Sequence, residues 1–244
     1  MAKKIVIASG KGGVGKSTTA AMLGLRLARL GKRTLLVDCD AGLNTLHFLL
    51  ETQTQTPYHW LDAAEGACDA ADTICTVNPC LSLINAPTDV PAECAEDCIR
   101  TVLSAIEDRF DFILLDAPAG LGTGLKRAAL PADSALIIAT ADAVSVQGAG
   151  KTQEILQTYG VGETRLIVNR YDTKAAKKGS YFDLDTMIDQ TLVQLIGVVP
   201  EDPALSAYSV THRLGKKSKS LPAFERIARR MQGENVRLTH SLLK

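Results

Sequence analysis

Residues 3–18 read KKIVIASGKGGVGKST and are the most informative stretch of this 244-residue chain. The apolar run 3–9 predicts a buried β-strand, and residues 17–30 have the apolar spacing of a helix. Between them lies Gly10-Lys11-Gly12-Gly13-Val14-Gly15-Lys16-Ser17-Thr18, which satisfies the Gly-x4-Gly-Lys-Ser/Thr pattern of a phosphate-binding loop. The strand before this loop and the helix after it are the context that the pattern requires, so the sequence predicts a nucleotide site at this strand end.

The composition excludes several other classes of protein. The chain carries 27 Lys and Arg against 27 Asp and Glu, so it is not a generally basic nucleic-acid binder, although this leaves room for a local basic patch. No apolar run approaches the ~18 residues that a membrane-spanning helix needs. Residues 1–4 are cationic as in a signal peptide, but the glycine-rich turn ends the apolar stretch that follows after about four residues. We therefore expect a cytoplasmic protein that spans no membrane.

The spacing of apolar residues predicts a doubly wound α/β fold. Short Val- and Ile-rich runs, typical of strands buried on both faces, alternate with stretches of helical spacing. This alternation implies right-handed crossovers and a mostly parallel sheet with helices on both faces. We predict one P-loop ATPase domain over residues 1–244, with residues 233–244 as a weakly amphipathic or frayed tail. The predicted strands are 3–9, 34–37, 81–84, 112–116, 134–139, 165–168 and 195–199; the main predicted helices are 17–30, 93–107, 144–159 and 221–231, and the elements within 51–80 are left open.

Each residue type in the glycine-rich loop has a physical role in binding a nucleotide. Glycines let backbone N–H groups come within hydrogen-bond distance of phosphate oxygens, and the helix that follows adds its positive end. We predict that Lys16 places its ammonium group against the β- and γ-phosphates and that the Ser17 hydroxyl is a ligand of Mg²⁺. Lys11 is not required by the minimal pattern, but two lysines would balance the charge of about −2 on Mg-ATP.

Three carboxylates follow the ends of predicted strands. Asp38 and Asp40 follow the second strand, and Asp116 ends the apolar run that begins at Phe112. Ligands of open parallel sheets bind outside the carboxyl ends of the strands, so these side chains are expected beside the phosphates. Four apolar residues followed by an acid form the pattern of a Walker B strand, which predicts that Asp116 holds Mg²⁺ through water.

The loop with two lysines, Gly-Lys-Gly-Gly-x-Gly-Lys-Ser/Thr, is the signature of the deviant Walker A family of ATPases, which the chain resembles over about residues 3–232. The resemblance implies that Lys11 crosses a dimer interface to the partner's phosphates. It also implies that Asp40 positions the attacking water and that Asp38 supports Mg²⁺ or the loop. Lys11, Lys16 and Asp40 are thus the predicted catalytic residues, and Ser17, Asp38 and Asp116 are the predicted metal residues.

The same resemblance implies the contacts to the purine. Asn169, followed by Arg170 after the strand 165–168, matches an Asn that reads the adenine edge in related ATPases. The loop Pro200-Glu201-Asp202 matches a Pro-containing loop that flanks the ring. The chain has no Thr/Asn-Lys-x-Asp guanine motif. We therefore expect ATP and ADP, with Mg²⁺, as the ligands.

Within the family, segments 40–44, 116–120, 169–171 and 197–202 resemble the branch that regulates placement of the division septum. This implies an ATP-dependent homodimer at the inner face of the cell membrane, an ADP-bound monomer in the cytosol, and an activating or effector protein that stimulates slow hydrolysis. Residues 235–244 depart from that branch, because their partial apolar stripe lacks aromatic residues and has only two cations beside it.

Other roles within the family are left open. A DNA scaffold, as used by partition ATPases, is a less favoured partner, and the sequence does not separate a flagellar-placement role from septum placement. Basic side chains that would meet DNA phosphates are Lys216, Lys217, Lys219, Arg226, Arg229 and Arg230.

The six cysteines raise a possible iron–sulfur role, but no two of them show the Cys-x2-Cys spacing of cluster ligands. Cys94 and Cys98 are four residues apart, which suits either a metal site or, as we favour, two small thiols in a helix.

Overall fold

Eight strands form a single sheet in the computed structural model, which describes residues 1–42, 44–52, 56–205, 208 and 218–238. The strands are β1 (Lys3–Ala8), β2 (Thr34–Asp38), β3 (Ile74–Asn78), β4 (Leu81–Ile84), β5 (Phe112–Asp116), β6 (Ser134–Ala139), β7 (Glu163–Tyr171) and β8 (Leu195–Pro200). Their order across the sheet is β3-β4-β2-β5-β1-β6-β7-β8. Every neighbouring pair is parallel except β3 with β4, so the predicted mostly parallel sheet is confirmed.

Helices cover both faces of this sheet, because successive residues of its central strands point to opposite sides and both sides are apolar. In β1, Ile5 and Ile7 pack in one core cluster, whereas Val6 and Ala8 pack in the other. The helices are α1 (Lys16–Arg29), α2 (Thr45–Leu49), α3 (Trp60–Ala64), α4 (Cys98–Ser104), α5 (Thr123–Ala129), α6 (Ala143–Thr158), α7 (Thr173–Lys177), α8 (Leu184–Thr191) and α9 (Leu221–Met231). Helices α1 and α9 contribute to the cluster that contains Ile5 and Ile7. The cluster that contains Val6 and Ala8 receives residues from α3, α4, α5, α6 and α8. The predicted doubly wound arrangement is therefore confirmed.

The structure differs from the sequence prediction mainly at the β3 edge of the sheet. Residues 51–80 contain α3 and the antiparallel strand β3, neither of which the apolar pattern identified. Strand β3 lies at an edge and buries only Cys75 completely, so it lacks the apolar run of a central strand. Helix α4 begins at Cys98 rather than at residue 93, because the preceding residues form turns closed by the bonds from Cys94 N to Pro91 O and from Cys98 N to Ala95 O.

The strand order places three informative strand ends side by side. Strands β2, β5 and β1 are neighbours at the centre of the sheet, and Asp38 of β2 lies opposite Asp116 of β5. On the other side of β5, Ile7 of β1 lies opposite Asp116, three residues before the glycine-rich loop begins. The loop and two of the predicted carboxylates therefore meet at one edge.

No helix within the described ranges is both long enough and apolar enough to cross a bilayer.

Candidate functional site

The glycine-rich loop joins β1 to α1 and leaves the start of that helix open. Gly13 and Gly15 have φ values of 75° and 92°, in the left-handed region that glycine adopts without a steric penalty. Gly15 precedes the first residue of α1 and caps it without any side-chain hydrogen bond. The free N–H groups and the positive end of the helix dipole are thus available to phosphate oxygens.

Two close approaches explain why glycine is needed at other points of the loop. A Cβ atom on Gly10 would lie 2.4 Å from the carbonyl oxygen of Gly148 on α6, and one on Gly15 would lie 2.5 Å from Nδ2 of Asn169. Lys16 is buried at the start of α1 and makes no ion pair within the described residues. Its ammonium group is therefore free to meet an anion in the loop.

Asp38 and Asp116 form a buried pair of carboxylates beside this loop. Burial raises the pKa of Asp116 to about 7, and the nearby charge of Asp38 adds to this effect, whereas the hydroxyl of Ser17 and the ammonium of Lys16 oppose it. Burial likewise raises the pKa of Asp38 to about 6, against the hydrogen bonds that it accepts from the amides of Asp40 and Leu46. Two carboxylates buried this close destabilise each other's charged form until a cation binds.

These side chains fit Mg²⁺ bound together with a nucleotide. Both carboxylate oxygens of Asp116 are buried and have no hydrogen-bond partner of ordinary geometry among the described residues, which is unusual for a native protein and marks the position of a missing partner. Within the described ranges, no group of three or more His, Cys, Asp or Glu side chains is placed to hold a metal on its own. Mg²⁺ bound with a nucleotide is held by one or two protein oxygens together with phosphates and waters, and Ser17, Asp38 and Asp116 match that chemistry.

Asp40 lies on the loop after β2, with a partly exposed side chain. Its backbone N–H donates to Oδ1 of Asp38 at 3.0 Å, and Oδ2 of Asp38 accepts a bond from Leu46 N at 3.2 Å. The carboxylate of Asp38 therefore ties the loop to α2, and it places Asp40 at the same edge as the glycine-rich loop.

Lys11 makes an ion pair that no local sequence pattern predicts. Its Nζ atom lies 3.0 Å from Oδ1 of Asp142, and 40% of its side chain is exposed. Asp142 precedes α6, where it accepts hydrogen bonds from Ser145 N and from the hydroxyl of Thr140. Partial burial alone would raise the pKa of Asp142, but the bonds from Thr140 and Lys11 outweigh it and lower this pKa.

An Asp before a helical run predicts an N-cap, and that signal was available at Asp142. No signal in the sequence predicts that Asp142 pairs with Lys11, which lies 131 positions away. The contact of Gly10 with Gly148 was missed for the same reason, since both depend on how α6 packs against the loop.

Asn169, on β7, is hydrogen-bonded to the glycine-rich loop. It is 4% exposed, and its Nδ2 donates to Val14 O at 2.7 Å. Its Oδ1 is buried and has no hydrogen-bond partner in the part of the chain that the structure describes, so it is an unused acceptor, and the predicted contact with adenine stays a prediction. Arg170 next to it is exposed and has a φ of 52°, a backbone conformation that is rare outside glycine.

In the segment 200–202 at the end of β8, two residues are at least partly exposed and one is buried. Pro200 and Glu201 are partly or fully exposed at the carboxyl end of β8, where the predicted contact with the purine stays a prediction. The side chain of Asp202 is instead used by the fold. Its carboxylate accepts bonds from Ser218, Ser220 and the amide of Ala204. Burial works to raise the pKa of Asp202, but the bonds from Ser218 and Ser220 outweigh it and lower the pKa to about 2. We therefore assign this side chain to the anchoring of residues 218–220, and the predicted contact of Asp202 with the purine also stays a prediction.

The cysteines are all free thiols. Cys98 is buried and Cys94 is partly buried, which agrees with the favoured prediction of small packed thiols. Burial raises the pKa of Cys98 to about 12, so its thiolate form is strongly disfavoured.

Comparison with known proteins agrees with this site. A sequence profile described as an AAA domain matches residues 2–163. The septum site-determining protein MinD of Bacillus subtilis is 33% identical, in an alignment that covers 98% of this chain and 92% of that protein. The structure of the MinC:MinD cell division protein complex of Aquifex aeolicus matches with a TM-score of 0.89 and 31% identity, covering 98% of this chain and 99% of that one. MinD of Pyrococcus horikoshii complexed with Mg-ADP matches with a TM-score of 0.83 and 25% identity, covering 95% and 96%. By profile, sequence and structure, the chain belongs to the MinD family of P-loop ATPases.

Proposed function

We propose that this chain is an ATP-dependent dimerisation switch that regulates placement of the division septum. Membership of the MinD family supports the septum role over a partition or a flagellar-placement role. The observation that carries the switch is the position of Lys11. It lies in the phosphate-binding loop, yet its ammonium group is held by Asp142 at the exposed start of α6. A lysine in that position is accessible to the nucleotide of a second subunit once the pair with Asp142 opens.

The residues of one subunit are proposed to act on the phosphates by positioning and electrostatics. The amides of the loop and Lys16 hold the β- and γ-phosphates, and Asp40 orients the attacking water toward the γ-phosphate. Mg²⁺ supplies neutralisation of phosphate charge when bound. Ser17, Asp38 and Asp116 would hold it, and no covalent intermediate on the protein is needed.

The partner subunit is proposed to complete the site through Lys11. In the single chain, the pair between Lys11 and Asp142 offsets the repulsion between Lys11 and Lys16. In the ATP-bound dimer, each Lys11 contacts the other subunit's phosphates, and loss of the γ-phosphate removes that contact. We propose that hydrolysis is slow until an activating or effector protein binds the dimer.

Changing Asp40 to Ala tests the hydrolytic step. The variant should still bind Mg-ATP and dimerise, because the loop is intact, but the rate of phosphate release should fall by about 100-fold. Light scattering after gel filtration should then show a dimer that persists in ATP. The change Asp189→Ala, in an exposed residue of α8, is the matched control and should leave both measurements unchanged. An Asp40→Ala variant with the wild-type rate of hydrolysis would remove Asp40 from the mechanism.

The structure weakens the case for a DNA scaffold. Lys216 and Lys217 lie outside the described residues, but two of the three arginines on α9 have guanidinium groups engaged by the fold. Arg229 pairs with Glu234, and Arg230 donates to the carbonyl oxygens of Ile196 and Val236. These groups are less available to phosphates than the sequence pattern indicated.

We also propose that the tail, residues 233–244, binds peripherally at the inner face of the cell membrane. The amphipathic stripe of the tail consists of Val236, Leu238, Leu242 and Leu243, of which the last two lie outside the described residues. Residues 234–236 contact α9 through the bonds of Arg229 and Arg230. A shortened chain should therefore end at Leu238 rather than at Met231, so that those contacts are kept.

Full-length protein should sediment with anionic vesicles in ATP but not in ADP, since a dimer doubles the weak attraction of each tail. The chain that ends at Leu238 should lose most of this binding while it still hydrolyses ATP. Absence of ATP-dependent binding by the intact chain would contradict the membrane role. Binding to DNA that weakens steeply as salt rises would favour the scaffold instead.

A further inference from the structure

Trp60 is the only tryptophan of the chain, and it lies next to the nucleotide site without belonging to it. It is the first residue of α3 and is 1% exposed. Its indole Nε1 donates to the backbone carbonyl oxygen of Asp38 at 2.9 Å. A buried indole N–H needs an acceptor, and this one takes an atom of the residue that ends β2.

The sheet explains why that carbonyl needs a partner. The ladder between β2 and β4 ends where Val37 lies opposite Ile84, so β4 provides no strand residue opposite Asp38. The backbone N–H of Trp60 also donates to the carbonyl oxygen of Asn85, just after β4, at 3.4 Å. Trp60 therefore extends the bonding pattern beyond the last ladder pair and links the ends of the two strands.

Asp38 is consequently held at three points. Trp60 holds its carbonyl, and its carboxylate accepts bonds from the amides of Asp40 and Leu46. Because the amide of Asp40 bonds directly to the Asp38 carboxylate, a shift of the strand end moves both side chains together. Misplacement of a reacting group by about 1 Å can cost about 100-fold in rate.

We propose that Trp60 is a positioning residue for ATP hydrolysis, whose indole N–H fixes the end of β2 and thereby presents the carboxylates of Asp38 and Asp40 to Mg-ATP. This inference rests on the roles proposed above for those two carboxylates. It assigns a function in the reaction to a buried residue that acts through the backbone of Asp38.

The test is the Mg²⁺ dependence of hydrolysis in a Trp60→Phe variant, which keeps an aromatic ring and loses the N–H donor. Loss of an outer-shell hydrogen bond typically costs about 10–100-fold in metal affinity or activity. We expect the Mg²⁺ concentration at half-maximal rate to rise about 10-fold and kcat to fall at least about 10-fold. The KM for ATP should change little, because the glycine-rich loop is untouched. If Trp60 served packing alone, its replacement would not change the Mg²⁺ dependence and kcat while leaving the KM for ATP unchanged.

Leu61→Ala is the matched control, since Leu61 is the next residue of α3, is also buried, and makes no bond to Asp38. It should lower the melting temperature and leave kcat and the Mg²⁺ dependence unchanged. If Trp60→Phe fails to fold, benzothienylalanine at position 60 keeps the shape of the side chain and replaces the N–H by sulfur.

A folded variant of either kind with the wild-type kcat and Mg²⁺ dependence would overturn the inference. Wild-type protein is measured in parallel, because absence of hydrolysis there would instead contradict the proposed function.

Discussion

Replacing Lys11 with Ala should lower the rate of ATP hydrolysis by about 10³-fold, the lower end of the effect of a cationic group supplied in trans to phosphoryl transfer. The variant should still bind ATP, because Lys16 and the loop amides of the same subunit are intact. It should remain monomeric in ATP, since neither subunit can reach the other's phosphates. Phosphate release and light scattering measure the two effects.

The control for this prediction is Lys4→Ala. Lys4 is also an ion-paired lysine, bonded to Glu107, but it lies toward the opposite end of β1. Its loss should affect stability slightly and hydrolysis not at all. If Lys11→Ala hydrolyses ATP at the wild-type rate, the proposed trans contact is wrong, and Lys11 serves only its own subunit through the pair with Asp142.

Replacing Asp116 with Asn should have opposite effects on hydrolysis and on stability. Hydrolysis should fall by about 100-fold, because the carboxylate proposed to hold Mg²⁺ through water is lost. In the protein free of nucleotide and metal, the same change should raise the free energy of unfolding at pH 8 by up to about 4 kcal/mol. In that state Ser17 and Lys16 offset only part of the cost of burying this charge, and Asn has nearly the same shape without the charge.

The pH dependence follows from the raised pKa of Asp116, about 7 in the folded chain against 3.8 for an ordinary Asp. Between these values the folded protein binds more protons than the unfolded one. Wild-type stability should therefore fall as pH rises from about 4 to about 7, and part of that fall should disappear in Asp116→Asn. Urea unfolding in a chelator at pH 5 and pH 8 measures this difference.

Asp111→Asn, just before the start of the same strand, is the matched control. Its hydrogen bonds from Arg33 lower the pKa of Asp111, so its loss should be destabilising at pH 8. An Asp116→Asn variant that is less stable than wild type at pH 8 would contradict the assignment of a destabilising buried charge at Asp116.

Much of the fold and of the site was predictable because the informative signals are local. The central strands are apolar along their whole length, and the glycine-rich loop between β1 and α1 has a fixed spacing. The edge strand β3 was missed because only Cys75 of it is completely buried. The helix α4 was predicted too long because the turn bonds before Cys98 compete with helix formation without changing the apolar pattern.

The amino-acid sequence by itself determined the parallel sheet, the phosphate-binding loop and the strand-end carboxylates, because each depends on residues that are adjacent in the chain. Only the tertiary structure decided which distant residues complete the site. The partner of Lys11, the acceptor of the Trp60 indole and the anchoring role of Asp202 all join residues that are far apart in sequence. Such contacts depend on the order of the strands and on how the helices pack across them, and no local pattern of residues encodes either.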